Sequence, residues 1–321
     1  MKTSQKIIKY IKKRGQVTAS ELTDFLDISD RAVRKQLKSL YEKEILTKVG
    51  KPPKVFYLIK KEAHDNKVDI DSKIKKIIDD NYLIITPKGE QRLGFDGFVY
   101  WCQKNNLDVL KTAQDYVQTF KKYSQFKKEG LINGMKKFKS TFKQVYLDKL
   151  YYIDFYSVER FGKTKLGQLL LYSKQSGNKK LIKEIIKEIK PTIERVIKNN
   201  RVNAVGFIPW TVKREIQFMK EFEKGLNLNI KKISIQKIKT EVIVPQKTLP
   251  KLHDRIENVA NTIVVNEQGK YKNILLIDDA VGSGATLNEV AEQIKSKGIG
   301  KKVIGLSVTG SFKGFDVISE V

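Results

Sequence analysis

Residues 273–290 read NILLIDDAVGSGATLNEV. Four apolar residues, Ile274 to Ile277, run into two adjacent aspartates, Asp278 and Asp279. An apolar run of that length is a strand covered on both faces. A loop with Gly282 and Gly284 follows, and helical periodicity begins near Ala285. In alternating sheets ligands bind outside the carboxyl ends of the strands, where this loop stands. The glycines let the loop turn its amides inward, and the free amides and dipole of the new helix face the same point. Ser283 and Thr286 add hydroxyl donors. The stretch Ala280, Val281, Gly282, Ser283, Gly284, Ala285 and Thr286 is thus a nest for a dianionic phosphate. Asp278 and Asp279 would repel that phosphate, so they need another task, and the vicinal hydroxyls of a ribose supply it. A sugar 5-phosphate meets both demands. A plain phosphate site on a Rossmann-like sheet has the same loop and helix, and the residues alone leave that alternative open.

The chain around this stretch supports a sheet. LIKEIIKEIKPTIERVIK (181–198) is helical, VNAVGFIPW (202–210) a strand, and KREIQFMKEFEKG (213–225) a helix closed by Gly225. IKKISIQKI (230–238) and NTIVV (261–265) read as strands, and VIGLSVTG (303–310) as the last one. Strands alternating with helices give a parallel sheet with helices on both faces.

The run ILLIDDAVGSGATL (274–287) resembles the phosphoribosyl pyrophosphate (PRPP) motif of type I phosphoribosyltransferases. Gly282 and Ser283 stand where that motif has two threonines, and Ala280 where it has a branched residue. PQKTLPKLHDRIENVANTIVV (245–265) is similar to the preceding stretch of the ComF-like branch, with Gln246, Arg255 and Asn258 at the matching positions. FIPWTVKREIQFMKEF (207–222) occupies the place of its pyrophosphate loop, where Pro209, Arg214 and Gln217 match, and Lys174 is the counterpart of an earlier lysine. The zinc ribbon common in ComF proteins is absent, and one cysteine cannot build it. The resemblance implies ribose bound by Asp278 and Asp279, phosphate by residues 280–286, and pyrophosphate near Pro209, Trp210, Arg214, Lys247 and Arg255. It also implies Mg²⁺ held through PRPP, bridging pyrophosphate and ribose oxygens, without a direct protein ligand. Residues 240–254 carry two prolines and no periodicity, and are either a mobile lid or an ordinary surface loop.

The other end of the chain is different. Ile7, Ile8 and Ile11 share one helical face, and Gly15 ends that helix. Thr18 with Glu21 is a capping box before a stripe of Leu22, Phe25 and Leu26. Ser29 caps a third helix in which Val33, Leu37 and Leu40 face inward. Arg31, Arg34, Lys35 and Lys38 are left outside. ILTKV (45–49) and VFYLI (55–59) are strands around a GKPPK turn. Helix, helix, helix, hairpin resembles the winged-helix DNA-binding family. That resemblance implies double-stranded DNA as a partner, with Lys51 and Lys54 of the wing reaching phosphate. A homodimer is expected because winged-helix regulators bind paired half-sites.

The expected architecture is α/β in class. It comprises a winged helix (α+β) over 1–60, a mainly helical connector over 61–149, and a phosphoribosyltransferase-like domain with a mainly parallel sheet over 150–321. The aromatics of the connector read as core, and Cys102 as a small buried residue. Its lysine-dense stretch 121–149 is either a solvated face or a second nucleic-acid contact that uses Phe126, Phe138, Phe142 and Tyr146. Their helical spacing favours the former.

Composition narrows the function classes. One cysteine and two histidines exclude an internal disulfide and argue against a histidine metal centre. No apolar run approaches a membrane span and no secretory signal opens the chain, so no membrane and a cytoplasmic location are expected. Net charge is +27, and residues 1–60 carry 15 Lys and Arg against 6 Asp and Glu. That excess suits either a polyanionic partner or a lysine-rich solvated surface. Three functions remain. One is a DNA-binding regulator that senses PRPP or a nucleotide. The second is an active phosphoribosyltransferase, and the third a ComF-like accessory in DNA uptake or processing.

Overall fold

Thr18 and Glu21 close their capping box: Thr18 N donates to Glu21 Oε2 at 2.6 Å and Glu21 N to Thr18 Oγ1 at 3.2 Å. The computed structural model describes residues 2–51, 54–60, 69–210, 212–238 and 240–311, with the backbone alone for residues 49–51, 54 and 247. Two compact units divide the chain, Met1–Asp69 with Thr86–Glu90 and Ile70–Ile85 with Gln91–Val321.

The first unit holds α1 (Thr3–Arg14), β1 (Gln16–Val17), α2 (Ala19–Leu26), α3 (Asp30–Glu42), β2 (Leu46–Lys51) and β3 (Lys54–Ile59). The wing β2–β3 is antiparallel, and β1 adds to it through Gln16 opposite Leu58. Ser29 Oγ accepts from Ala32 N at 3.3 Å and starts α3. Ile7, Ile11, Leu22, Val33, Leu37, Leu40 and Leu46 make the core. Phe25 departs from the expected buried stripe. It is 50% exposed and its ring stacks on Tyr10 at 4.0 Å. The short α2 closes the core with Ala19 and Leu22, so its third apolar position reaches only the rim.

In the second unit α4 (Ser72–Asn81), capped by Asp71, leads into the hairpin strands β4 (Leu83–Ile85) and β5 (Gln91–Leu93). After them come α5 (Gly94–Lys104), α6 (Val109–Ser124), β6 (Lys127–Lys128), β7 (Leu131–Asn133) and α7 (Met135–Thr141). The helical reading fails at 127–133, where the chain folds into a tight hairpin. Glu129 and Gly130 both take positive φ, +49° and +74°, which a two-residue turn requires. Phe138 and Phe142 are buried, 4.7 Å apart, while Phe126 is half exposed. Cys102 is fully buried beside Phe98, as its neighbours imply.

Next come β8 (Lys149–Phe155), β9 (Ser157–Val158), β10 (Gly162–Lys163), α8 (Lys165–Ser176), α9 (Lys179–Asn199) and β11 (Ala204–Phe207). They are followed by α10 (Phe218–Leu226), β12 (Lys231–Lys232), β13 (Ile235–Lys237), α11 (Leu252–Thr262) and β14 (Ile263–Val265). The last elements are β15 (Tyr271–Val281), α12 (Ala285–Ser296) and β16 (Gly300–Gly310). The main sheet has seven strands in the order β12-β11-β15-β16-β8-β7-β6. The first five are mutually parallel, and β7 and β6 add antiparallel strands. The single strand expected over 230–238 divides: β12 stays in the main sheet and β13 turns off to pair with β14.

The apolar run of β15 is explained by two cores. Ile274 and Leu276 face one, shared with α11, α12 and the helices of 70–149; Leu275 and Ile277 face the other, against α8, α9 and α10. Each such residue, fully buried, stabilises the sheet by roughly 1.5–3 kcal/mol. Asp278 is therefore the first residue at which β15 emerges from between its helical layers.

Candidate functional site

The carboxyl end of β15 is held in register by β11 on one side and β16 on the other. Ile208 N donates to Ile277 O at 2.9 Å, so the loop after β11 starts beside Asp278. The two loops, with α8 and the 245–255 segment, enclose an open cleft of about 230 Å³. Pro209, Trp210, Arg214, Arg255 and all of 278–286 line it, together with Lys174, Gln217 and Gln246. Lys247 lies in a 3-10 turn at Gln246–Thr248, and its side chain is outside the described residues.

Asp279 N donates to Asp278 Oδ1 at 2.8 Å. Burial, and after it the neighbouring charge of Asp279, raises the Asp278 carboxyl above the usual carboxylate range; the Asp279 amide and Lys174 pull the other way. Lys174 Nζ lies 3.1 Å from Asp279 Oδ2. The loop after β11 is shaped by Gln217, whose Nε2 donates to Arg214 O at 3.1 Å, and by Arg214, whose Nη1 donates to Lys174 O at 2.7 Å. On the far wall Arg255 is buried and its Nε donates to Leu249 O at 2.7 Å. Burial lowers its pKa from the ordinary arginine value. Gln246 Nε2 donates to Asn258 Oδ1 at 2.8 Å, which ties the 245–249 segment to α11.

The two glycines of the loop between β15 and α12 differ. Gly284 has φ +84°, and a Cβ there would stand 2.6 Å from Phe138 Cε2. Both the left-handed backbone and the close ring require glycine. Gly282 has neither need, since nothing lies within 4 Å of a Cβ there; the expectation that both glycines bend the loop holds for Gly284 alone. Helix α12 opens at Ala285 without a side-chain cap from Gly284. Its first turn is braced from the opposite side. Tyr146 N donates to Asn288 Oδ1 and Asn288 Nδ2 to Gln144 O, each at 3.0 Å.

Sequence reasoning matched Lys174 to a family position but gave it no place in the cleft. One signal was available: Lys174 closely follows the leucine run 169–171 on the same helical segment, and lysine is seldom found on such an apolar surface.

In the first unit Arg31, Arg34, Lys35 and Lys38 are all exposed on α3. They are not equivalent. Arg34 Nε donates to Asp30 Oδ2 at 2.6 Å, and Lys38 lies 3.8 Å from Glu42. Arg31 and Lys35 have no ion pair among the described residues. Lys51 and Lys54 stand opposite each other in the wing, their side chains outside the described residues.

Residues 4–50 match the DeoR-like helix-turn-helix domain. The DeoR-like segment runs from α1 to the wing's first strand, and α3 is its last helix. The chain is also similar to three solved structures, at low identity. One is a hypoxanthine-guanine phosphoribosyltransferase from Bacillus anthracis, 13% identical over 45% of this chain and 77% of that one, TM-score 0.29. A second is a hypoxanthine phosphoribosyltransferase from Staphylococcus aureus, 14% identical over 45% and 71%, TM-score 0.27. The third is the hypoxanthine phosphoribosyl transferase of Trypanosoma cruzi, 12% identical over 44% and 71%, TM-score 0.28. No curated protein sequence matches the chain. No helix among the described residues is long and apolar enough to cross a membrane.

Proposed function

We propose that the chain is a DNA-binding transcriptional regulator whose cleft binds PRPP or a nucleotide 5'-phosphate and whose DeoR-like domain reports that occupancy on double-stranded DNA. One observation carries the reading of the cleft: a glycine-bent loop and the start of α12, an acid pair, and the basic groups Lys174, Arg214 and Arg255 converge on one cavity. The 5'-phosphate sits on the amides of 282–286 and the ribose hydroxyls on Asp278 and Asp279. A pyrophosphate lies toward Pro209 and Trp210, with Arg214, Arg255 and Lys247 supplying charge. The order of these motifs is that of the ComF-like branch.

Among the described residues no group of three or more His, Cys, Asp or Glu gathers to hold a metal. Mg²⁺ belongs to the same proposal as a cation that would arrive with PRPP beside Asp278 and Asp279 and would offset the charge of its pyrophosphate. On the DNA side Arg31 and Lys35 make the first phosphate or base contacts, because Arg34 and Lys38 already have acidic neighbours on the helix. A homodimer on paired half-sites belongs to the same proposal. The ligand shifts DNA affinity only by as much as it prefers one arrangement of the protein over another.

An active phosphoribosyltransferase is the second reading, favoured by the intact acid pair sharing its cleft with cations. The test pairs two measurements. Calorimetric titration of PRPP, with and without Mg²⁺, is repeated on Asp278→Asn/Asp279→Asn. Duplex DNA affinity is then measured at fixed salt with and without PRPP. Binding that the double variant loses, together with a ligand-dependent DNA affinity, is the expected result. No heat from the wild type overturns the reading of the cleft. Unchanged DNA affinity overturns the sensor, and pyrophosphate release with a panel of bases replaces it with the enzyme.

A further inference from the structure

Part of the lysine-dense stretch 121–149 lines a second cavity, of about 360 Å³. Phe126, Ile132, Phe138 and Tyr152 form its apolar walls, and the exposed Lys136 and Lys137 line it with them. Its volume falls in the ~300–1,000 Å³ range of small-molecule sites. Val281, Gly282 and Ser283 border both this cavity and the cleft, but the acid pair Asp278 and Asp279 lines the cleft alone.

Phe126 is held at this cavity without being covered. It is 48% exposed, while Phe155, on which its ring packs edge to face at 6.2 Å, is 2% exposed. The next residue, Lys127, pairs with Ile132 across the β6–β7 hairpin, and its ammonium lies 3.5 Å from Asp154 Oδ2 on β8. These ties fix the ring and leave about half of its surface open to solvent. The charge around it is one-sided. Residues 121–149 hold nine lysines against Glu129 and Asp148. Lys121, Lys128, Lys136, Lys137, Lys139 and Lys143 are exposed and have no ion pair among the described residues.

Like charges left unneutralised beside an open apolar cavity repel one another and cost stability. They suit a partner that is polyanionic and has apolar faces as well. Single-stranded nucleic acid has both, since its phosphates meet lysines and its unstacked bases stack on aromatic rings. A duplex keeps its base faces stacked inside and offers none to a cavity. A small anion has too few charges to use so many lysines. We propose that this face of the second unit binds single-stranded DNA or RNA. One base enters the cavity and stacks on Phe126, and the phosphates beside it rest on Lys136 and Lys137. None of the α3 residues assigned to duplex DNA takes part.

The test is fluorescence anisotropy of the full chain, over a salt series, with labelled oligothymidylate and oligouridylate of about 12 nucleotides and with a duplex of the same length. Binding of the single strands is expected, and the two arms show whether the sugar matters. Phe126→Ala weakens single-strand binding about 5- to 100-fold, the loss of one base–aromatic stack, and leaves duplex affinity unchanged. Phe126→Tyr keeps single-strand affinity. Lys136→Gln/Lys137→Gln lowers the single-strand salt slope by about 1.4, or ~0.7 per phosphate. Circular dichroism and melting temperature verify the fold. Phe126→Leu, which keeps the packing on Phe155 without the flat ring, replaces the alanine variant if that one does not fold. No binding of either single strand overturns the proposal. Single-strand binding that the Phe126 and lysine variants all leave unchanged also overturns it, because the strand then lies elsewhere. A loss in the lysine variant alone, with inorganic polyphosphate displacing the strand, reduces the face to a charge patch and overturns it. Thymidine 5'-phosphate that displaces the strand as readily as unlabelled oligothymidylate makes the cavity a mononucleotide site and overturns it too.

Discussion

Replacing Gly284 by alanine tests the construction of the loop between β15 and α12. The new Cβ would sit 2.6 Å and 2.9 Å from Phe138 Cε2 and Cδ2, at a backbone φ of +84°. The left-handed conformation costs an L-residue roughly 1–2 kcal/mol, and overpacking adds about 1–3 kcal/mol. Together the loss is about 2–5 kcal/mol, which lowers the melting temperature of a unit this large by about 5–15 °C. Both tryptophans, Trp101 and Trp210, belong to the second unit, so their fluorescence follows its unfolding separately from the DeoR-like domain. Gly282→Ala is the internal control. It meets no atom within 4 Å and its stability stays within about 0.5 kcal/mol of wild type. Adding Phe138→Leu to Gly284→Ala removes the overlapping ring atoms and recovers the packing part of the loss but not the backbone part. The two substitutions are therefore non-additive by about 1–3 kcal/mol. Equal melting temperatures for the two glycine variants would refute the reasoning, as would a double variant whose losses simply add.

Four further outcomes are expected. The raised Asp278 carboxyl contributes stability while protonated, below the ordinary aspartate range of about 4, and that contribution is lost as pH rises through its higher folded-state value. Asp278→Asn therefore melts above the wild type at neutral pH by a margin that shrinks toward pH ~4, and melts recorded across that range would show a constant margin if the carboxyl were not raised. Asn288→Ala strips partners from Tyr146 N and Gln144 O and costs about 2–4 kcal/mol in denaturant titration. Arg31→Ala and Lys35→Ala each reduce the salt slope of DNA binding by about 0.9 per lost phosphate contact. Arg34→Ala, already held by Asp30, changes it less, and anisotropy over a salt series separates them. Burial pushes the Cys102 thiol up to about 11, so a thiol reagent at pH ~8 labels it only after unfolding.

Much of this molecule was legible in its amino-acid order, for local reasons. The three N-terminal helices follow from caps that bond within three residues, at Thr18 and Ser29, and from an apolar spacing that one helix face reads out. The β15 strand and α12 follow from an uninterrupted apolar run that ends in polar residues and a glycine loop. The cleft elements inherited that legibility, because the acid pair, the glycine loop and the start of α12 are contiguous in sequence. Residues 127–133 were less legible. The lysines and aromatics of the surrounding 121–149 stretch keep a helical spacing, and Glu129 and Gly130, with positive φ, override it by turning the chain onto β8.

What the tertiary structure alone decided is every contact between segments distant in the chain. It set Lys174 of α8 against Asp279 of β15, Phe138 of α7 against Gly284, and Asn288 of α12 against the 144–146 backbone. It also left Phe25 at the rim when its spacing put it inside. Such contacts carry no period. They arise because two faces of one sheet must be covered at close-packed density, and which side chains then meet is set by how the layers stack rather than by any residue's neighbours in sequence.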